Sequence, residues 1–393
     1  MNRYETEVIE KIVKDTSAKL PPMPLQIKHL VGLDSRFERV KSLIDVESND
    51  AVCMMGIYGV GGIGKTTFAV DLYNKIRHHF EAASFLANVR EKSNKSIKGL
   101  EDLQRTLLSE MGEETGTIIG STFKGSSEIK CRLGHKRVLL VVDEVDSVKQ
   151  LEALAGGYDW FGPGSRIIIT TRDKDVLHKH DVEIKRYEME ELNDRESLEL
   201  FCWYAFNRSR PAENFASIST RAVRYAKGIP LALRVIGSNL KGRGPEEWEA
   251  ELQKYKKVPD AEIQGVLEIS YTSLSNLDQK IFLDIACFFK GERWDYVKRI
   301  LDACDFNPDI QVFVSKCLLT IDENGCLEMH DLIQDMGREI VRKESPSSPG
   351  YRSRLWSHKE VHEVLKENSV RILTFFIYSC LCMFVHFGKC ILC

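Results

Sequence analysis

The sequence predicts an α/β domain built on a parallel β-sheet, followed by a helical region and a winged-helix unit. Three observations support this fold class. A glycine-rich loop, GVGGIGKTT, begins at Gly59, between an apolar run and a segment with helical spacing. Apolar runs alternate with helical stretches between residues 50 and 190, which is typical of a parallel sheet with helices on both faces. Beyond residue 190 the spacing is helical up to a short alternating segment around Asn324–Gly325.

The composition is that of an ordinary globular protein with two or three domains. The chain has 393 residues, of which 43% are hydrophobic and 29% are charged. Its net charge of −3 gives no global positive field that would recruit nucleic acid. The 11 cysteines have no paired spacing, and the start of the chain lacks the apolar core of a signal peptide. We therefore expect no disulfide framework and a cytoplasmic location, with the nucleus as the alternative.

The loop from Gly59 to Thr66 has the pattern G-x-x-x-x-G-K-T, which is the Walker A form of the P-loop. Glycines take positive φ at little cost, so successive backbone N–H groups can point into one anion-binding concavity. We expect Lys65 to reach the β- and γ-phosphates and the Thr66 hydroxyl to ligate Mg²⁺. The alternative is a glycine-rich turn that happens to precede a lysine. The predicted cradle comprises Gly59, Gly61, Gly62, Ile63, Gly64, Lys65, Thr66 and Thr67.

The next strands in the chain begin near Ala83 and Arg137. The second of them, RVLLVVDEVD, has five consecutive apolar residues and reads as a strand buried on both faces. Acidic residues at the carboxyl end of such a strand lie where open α/β sheets hold ligands. Asp143 is therefore the Walker B candidate for holding Mg²⁺, and Glu144 is a candidate to orient or deprotonate a water molecule. The alternative is a buried strand with a solvated acidic end.

A further strand in GSRIIITTRD, from Gly164, ends in two threonines and Arg172. A guanidinium matches phosphate oxygens as a fork, so Arg172 is a candidate contact for a γ-phosphate. The alternative is an arginine paired with a surface carboxylate. A weaker run from Ile184 completes a set of about five strands.

The helical part of the chain contains two short motifs. In GIPLAL, Gly228 can end one helix and Pro230 can start the next, an account that needs no ligand. Three helical segments from about Glu262 and a hairpin around Asn324–Gly325 then suggest a winged helix. In MHD, which follows the hairpin, Asp331 can be a helix N-cap and His330 a half-buried histidine.

Six motifs in this order resemble the NB-ARC nucleotide switch of plant disease-resistance proteins. They are GVGGIGKTT, LLVVDEVD, GSRIIITTRD, GIPLAL, FLDIACFF and MHD. The segments FLANVRE, DEVD and FLDIACFF resemble the subclass that carries an N-terminal TIR domain. The resemblance implies that three subdomains enclose one nucleotide, with ADP in the off state and ATP in the on state. It also implies slow ATP hydrolysis that resets the switch.

The resemblance assigns roles to individual residues. Lys65 and Thr66 hold phosphate and Mg²⁺, and Asp143 is the Walker B residue. Arg172 senses the γ-phosphate, and Pro230 packs near the adenine. His330 reaches toward the β-phosphate of ADP and locks the winged helix closed, while the backbone at Val31 and Gly32 borders the adenine. Glu144 stands where the family often has a second aspartate.

The same patterns divide the chain into six parts. They are a linker helix at 1–26, a P-loop nucleotide-binding subdomain at 27–189, a helical ARC subdomain at 190–261, a winged-helix ARC subdomain at 262–345, a connector at 346–371 and an apolar tail at 372–393. We expect a chain without the TIR domain and leucine-rich repeats of its relatives. The tail has about the minimum length for a membrane anchor. The alternative is a tail without selected function.

Two alternative functions stay open alongside the switch. One is a regulatory fragment that binds full-length TIR-type relatives or self-associates through its NB-ARC surface. The other is an ordinary P-loop ATPase with steady turnover. Nucleotide is the partner common to all three functions.

Overall fold

The computed structural model describes residues 24–113, 120–255 and 259–366. Its first domain contains five strands: β1 Cys53–Tyr58, β2 Ala82–Leu86, β3 Val138–Val145, β4 Arg166–Thr171 and β5 Lys185–Glu188. They form one sheet in the order β2-β3-β4-β1-β5, and every pair of neighbours is parallel. The predicted α/β fold with a parallel sheet is therefore confirmed.

Helices cover both faces of this sheet. Along β3, Leu139 and Val141 belong to one buried apolar cluster, whereas Leu140 and Val142 belong to another. Because successive strand residues point to opposite faces, the sheet is the middle of three layers. The helices of this domain are α1 Leu33–Ile44, α2 Lys65–Ile76, α3 Val89–Asn94, α4 Gly99–Glu110, α5 Thr122–Leu133, α6 Val148–Ala155 and α7 Lys174–His178, with short 3₁₀ turns at Arg77–His79 and Tyr158–Trp160.

The first residue of β4, a buried arginine, forms hydrogen bonds with the connection between α1 and β1. Arg166 is 2% exposed, and its guanidinium donates to the carbonyls of Ile44 at 2.5 Å and Ser48 at 3.0 Å. It also donates to the carbonyl of Ala51 at 3.0 Å. The bond to Ile44 satisfies a carbonyl at the end of α1 that has no partner within the helix, and the other two hold the connection that follows.

The helical region consists of α8 Asp194–Phe206, α9 Ala216–Ala226, α10 Pro230–Leu240 and α11 Pro245–Tyr255, with a 3₁₀ turn at Glu213–Phe215. Trp248 is 1% exposed and lies at its centre, within 5.7 Å of the ring centroid of Phe201. Lys227 and Gly228 have positive φ values of 44° and 77° and end α9. Pro230 then begins α10, as predicted from its fixed φ.

The winged-helix unit comprises α12 Ala261–Thr272, α13 Asn276–Asp284, a π-helical turn Ile285–Phe289, α14 Trp294–Ala303, α15 Ile310–Ser315, β6 Thr320–Ile321, β7 Leu327–Glu328 and α16 Asp331–Glu344. The two strands are antiparallel, and Gly325, with φ 78°, lies in the predicted turn between them. Helix α14 was not predicted from the sequence.

The chain after α16 packs on the winged helix through a 3₁₀ turn, Pro349–Tyr351, and helix α17, His358–Lys366. Arg354 there donates to the buried carboxylate of Asp284 at 2.6 Å. The apolar tail at 372–393 and most of the predicted linker helix at 1–26 lie outside the described residues. In the described part of the chain, no helix combines the length and the apolar character needed to cross a bilayer.

Candidate nucleotide-binding site

A cavity of about 420 Å³ lies between the sheet domain and the helical region. One end is polar, and its lining residues include Lys65, Thr66, Thr67, Glu144, Thr170 and Arg172. The rest of the wall is largely apolar and includes Val31, Leu33, Met189, Leu192, Leu200, Tyr204, Pro230 and Leu231. Clefts with an apolar wall and a few convergent polar groups are the usual form of ligand sites.

The P-loop passes directly under the start of α10. Gly62 and Gly64 have positive φ values of 80° and 97°. A Cβ atom at Gly62 would lie 2.7 Å from the Cβ of Leu231, and the N–H of Leu231 donates to the Gly62 carbonyl at 3.1 Å. Glycine at position 62 therefore permits both the backbone conformation and the close approach of the helical region.

Lys65 is buried at the mouth of the P-loop. Its Nζ donates to the carbonyls of Gly59 at 2.7 Å and Val60 at 2.9 Å. Burial, and next the charge of Arg172, lowers the pKa of Lys65 to about 7. An anion beside Nζ would favour the charged ammonium.

Asp143 is fully buried at the end of β3. Its Oδ1 accepts hydrogen bonds from the hydroxyls of Thr66 at 2.9 Å and Thr170 at 2.6 Å. Its Oδ2 is buried and has no hydrogen-bond partner among the described residues. Burial raises the pKa of Asp143, and the two hydroxyls partly offset this effect. A free carboxylate oxygen beside the Thr66 hydroxyl fits a hard divalent cation such as Mg²⁺, which takes its other ligands from phosphates and water.

The carboxylate of Glu144 lies between two guanidinium groups. Its Oε1 is 3.0 Å from Nη2 of Arg90 and 2.9 Å from Nη2 of Arg172. Arg172 also donates through Nη1 to the carbonyl of Val266 on α12, at 2.6 Å. Burial lowers the pKa of Arg172, and Glu144 opposes this shift. The predicted phosphate sensor thus contacts both the Walker B strand and the winged helix.

The MHD segment lies outside the lining of this cavity. The Nδ1 atom of His330 accepts a hydrogen bond from the N–H of Leu332 at 3.1 Å, so His330 is the N-cap of α16. The suggestion that Asp331 caps this helix is therefore wrong: its carboxylate instead pairs with Nζ of Lys227 at 2.6 Å and with Lys290. Burial lowers the pKa of His330. A neutral imidazole with its proton on Nε2 can also donate to the Lys227 carbonyl, 3.1 Å away.

The structure brings most of the predicted site residues together. Val31, Pro230, Arg172 and the loop from Gly62 to Thr67 line the cavity. Gly32, Gly61 and Asp143 each adjoin a lining residue in the chain, whereas Gly59 lies three residues before the first lining residue of the loop, Gly62. Sequence reasoning missed Thr170, although its place at the end of an apolar strand was a usable signal. It also missed Leu231, which lies within GIPLAL, and His29, Tyr204 and Arg234, which no local motif marks.

The fold and the site define a P-loop NTPase with helical and winged-helix subdomains. Residues 34–210 match the NB-ARC domain family, and residues 275–345 match the winged-helix domain of Roq1-like disease resistance proteins. The chain thus carries an NB-ARC domain followed by a Roq1-like winged-helix domain, and its homologues are plant disease resistance proteins. This confirms the resemblance drawn from the six motifs.

Disease resistance protein RUN1 of Vitis rotundifolia is 45% identical over 357 residues, which cover 90% of this chain and 26% of the relative. TMV resistance protein N of Nicotiana glutinosa is 40% identical over 378 residues, which cover 94% of this chain and 32% of the relative. The chain therefore spans about a quarter to a third of the length of these two relatives. A Walker-type ATPase of Pyrococcus abyssi shares the fold, with a TM-score of 0.54 over 81% of this chain and 99% of that chain, at 14% identity.

Proposed function

We propose that the chain is a nucleotide-operated switch in plant disease resistance, with ADP bound in the off state and ATP in the on state. Slow hydrolysis of ATP, with Mg²⁺ as cofactor, resets it. One observation carries the proposal: Arg172 contacts Glu144 beside the Walker B aspartate and also the backbone of Val266 in the winged helix. A residue shared in this way can transmit the state of the phosphate end to another subdomain.

Different residues in and around the cavity would bind different parts of the nucleotide. The backbone of the P-loop and Lys65 would hold the phosphates, since both present donors to one concavity. Thr66 and Asp143 would hold Mg²⁺, which neutralises phosphate charge when bound. Pro230 and the apolar wall exclude water from the rest of the ligand.

The two nucleotides would differ in what they offer Arg172. A γ-phosphate competes with Glu144 and the Val266 carbonyl for the guanidinium, because charge-assisted bonds to phosphate are among the strongest that arginine makes. ADP leaves both contacts of Arg172 intact. A ligand shifts a conformational equilibrium only by its difference in affinity for the two states, and this competition supplies such a difference.

The test is the identity of the nucleotide and its dependence on Arg172. Purified full-length chain should retain ADP at close to one per chain, and extraction followed by chromatography measures it. Arg172→Ala should weaken binding of a non-hydrolysable ATP analogue by about tenfold and leave ADP binding within about twofold. Protein without nucleotide, or equal losses for both ligands, would contradict the proposal.

Fast steady turnover of ATP would instead support an ordinary ATPase. A cytoplasmic location and association with related proteins stay predictions.

A further inference from the structure

A buried arginine away from the P-loop forms hydrogen bonds with two segments whose neighbouring residues line the cavity. Arg36 lies on α1 and is 3% exposed. Its Nη2 donates to the carbonyl of Glu191 at 2.9 Å. Its Nη1 donates to the carbonyl of Gly32 and lies 3.3 Å from Oε2 of Glu196. One guanidinium therefore joins the segment before α1 to the junction between the sheet domain and the helical region.

Both segments contribute apolar residues to the lining of the cavity. Val31 and Leu33 line it from one side, and Met189 and Leu192 line it from the other. The polar lining residues Thr66, Thr67, Glu144, Thr170 and Arg172 belong with Lys65 to the P-loop and to the carboxyl ends of β3 and β4, which are different elements. An apolar wall of this kind suits the flat face of a nucleotide base.

The same junction is connected back to the P-loop through the helical region. The N–H of Leu192 donates to the carbonyl of Gly228 at 3.0 Å, and the N–H of Leu231 donates to the carbonyl of Gly62 at 3.1 Å. The distance between the apolar wall, where a base would lie, and the P-loop, where phosphates would lie, therefore depends on these two backbone bonds and on the side-chain bonds of Arg36.

The contact around Gly32 is tightly packed. Gly32 has a positive φ of 71°, and a Cβ atom there would lie 2.7 Å from the Glu196 carboxyl carbon and 2.9 Å from Nη1 of Arg36. Glu196 is itself fixed, because its carboxylate accepts the N–H of Asn193 at 3.2 Å in the capping box of α8. Arg36 thus has a rigid partner on each side.

We propose that Arg36 is a positioning residue that holds the base end of the cavity at the correct distance from the P-loop. The proposal rests on the function proposed above, since it requires that a nucleotide occupies the cavity. Arg36 does not line the cavity and acts through Gly32 and Glu191. Lysine keeps the charge at this position but lacks the planar fork that reaches several acceptors at once.

The experiment compares the affinities of ADP and inorganic pyrophosphate, each with Mg²⁺, for the full chain. Pyrophosphate uses only the P-loop end. Arg36→Lys should weaken ADP binding by about tenfold and change pyrophosphate binding by less than about twofold. Arg39→Lys is the matched control: Arg39 is on the same helix and pairs with Glu190, but the two side chains are 49% and 60% exposed. We expect this control to leave both affinities unchanged.

Selective loss of ADP affinity separates positioning from a general loss of structure. If Arg36→Lys weakens both ligands equally, or only lowers the melting temperature, the inference is wrong. A second variant covers the case in which Arg36→Lys does not fold. Glu196→Gln removes the ion pair but keeps an acceptor for Asn193, and it should weaken ADP selectively by about threefold. A wild-type chain that binds pyrophosphate but not ADP would overturn the inference and the proposed function together.

Discussion

The two carboxylates that follow one another at the end of β3 have different surroundings. Asp143 is buried, with one oxygen held by Thr66 and Thr170 and the other without a partner among the described residues. Glu144 has a φ of 63° and is held by Arg90 and Arg172. Left-handed backbone at a residue other than glycine costs free energy and is often found at functional sites. A carboxylate engaged by two guanidinium groups has little capacity left to activate a water molecule. We therefore expect Glu144 to act here as a counter-ion for Arg172.

Glu144→Gln distinguishes a counter-ion from a general base. Removing the charge frees Arg172 for a γ-phosphate, so affinity for a non-hydrolysable ATP analogue should rise about three- to tenfold. A general base predicts unchanged affinity and hydrolysis slowed by about 10²–10⁴-fold. Titration with the analogue and single-turnover hydrolysis measure the two effects. Asp146→Asn is the control, because Asp146 lies on the same segment but bonds Gln150 instead.

Among the individual elements, β4 is joined through its first residue, Arg166, to the connection between α1 and β1. Arg166→Ala would leave the buried carbonyl of Ile44 and the partly buried carbonyls of Ser48 and Ala51 without their donor. We expect a loss of about 3–5 kcal/mol in the free energy of unfolding, measured by urea denaturation. Lys185→Ala removes a comparable donor, 2.8 Å from the Leu43 carbonyl, at an exposed site. That control should cost less than about 0.5 kcal/mol. Equal losses in the two variants would show that the buried carbonyls find other partners.

The start of α16 should make the contact between the winged helix and the helical region sensitive to acid. Burial alone would raise the pKa of Asp331, but hydrogen bonds from Lys227 and Lys290 hold it below its ordinary value of 3.8. A carboxyl group with a lowered folded-state pKa stabilises the fold above its ordinary pKa. That contribution is lost as the pH falls through the lower value.

Asp331→Asn should therefore melt below the wild type near neutral pH, and the gap should close in acid. Thermal melts at about pH 6 and at a series of pH values down to about pH 2 measure the gap, because only the wild type has a carboxyl group at position 331 to protonate. Asp295→Asn is the control, since the Asp295 side chain is 81% exposed. A gap of constant size would mean that the charge of Asp331 contributes nothing.

Across the whole molecule, local sequence patterns predicted most helices and strands, but they did not predict which side chains of different elements contact one another. The segment after the P-loop, for which the spacing predicted a helix, is helical from Lys65 to Ile76, and Pro230 begins a helix as predicted. Spacing and capping act within a few residues, so the sequence shows both. Helix α14 was missed although its apolar spacing was a usable signal: Val297 and Leu301 are buried, and Trp294, Tyr296 and Ile300 pack against the core from partly buried positions.

Within the site, contiguous motifs were predictable from the sequence, whereas contacts between distant elements were not. The P-loop and the strand-end residues were predicted from motifs, since each motif is contiguous. The ion pairs of Glu144 and the contact of Arg172 with Val266 join elements far apart in the sequence, and no local spacing encodes them. The N-cap role of His330 was missed because either residue of the pair could cap α16.

The loop between β4 and α7, and the start of α7, form several contacts with the winged helix. Lys316 donates to Asp173 at 2.9 Å, and each side chain is 20% exposed. The hydroxyl of Ser315 donates to Asp175 at 2.5 Å. Together with the bond from Arg172 to Val266, these contacts hold the winged helix against the start of α7 and the loop before it, which carries the proposed phosphate sensor. If the winged helix moves away in the ATP state, all three contacts must break.

A double-mutant cycle on Asp173 and Lys316 tests that movement. Asn at 173 keeps the acceptor that caps α7, and Met at 316 keeps the apolar stem of the lysine, so the cycle isolates the ion pair. We expect a coupling free energy of about 1 kcal/mol, measured by thermal unfolding with ADP bound. The coupling should vanish with a non-hydrolysable ATP analogue, because the two side chains are then apart. A cycle on the exposed pair Arg221 and Glu249, within the helical region, should give the same small value with either ligand. An equal coupling for Asp173 and Lys316 in both states would mean that the winged helix stays docked and that the switch operates by another route.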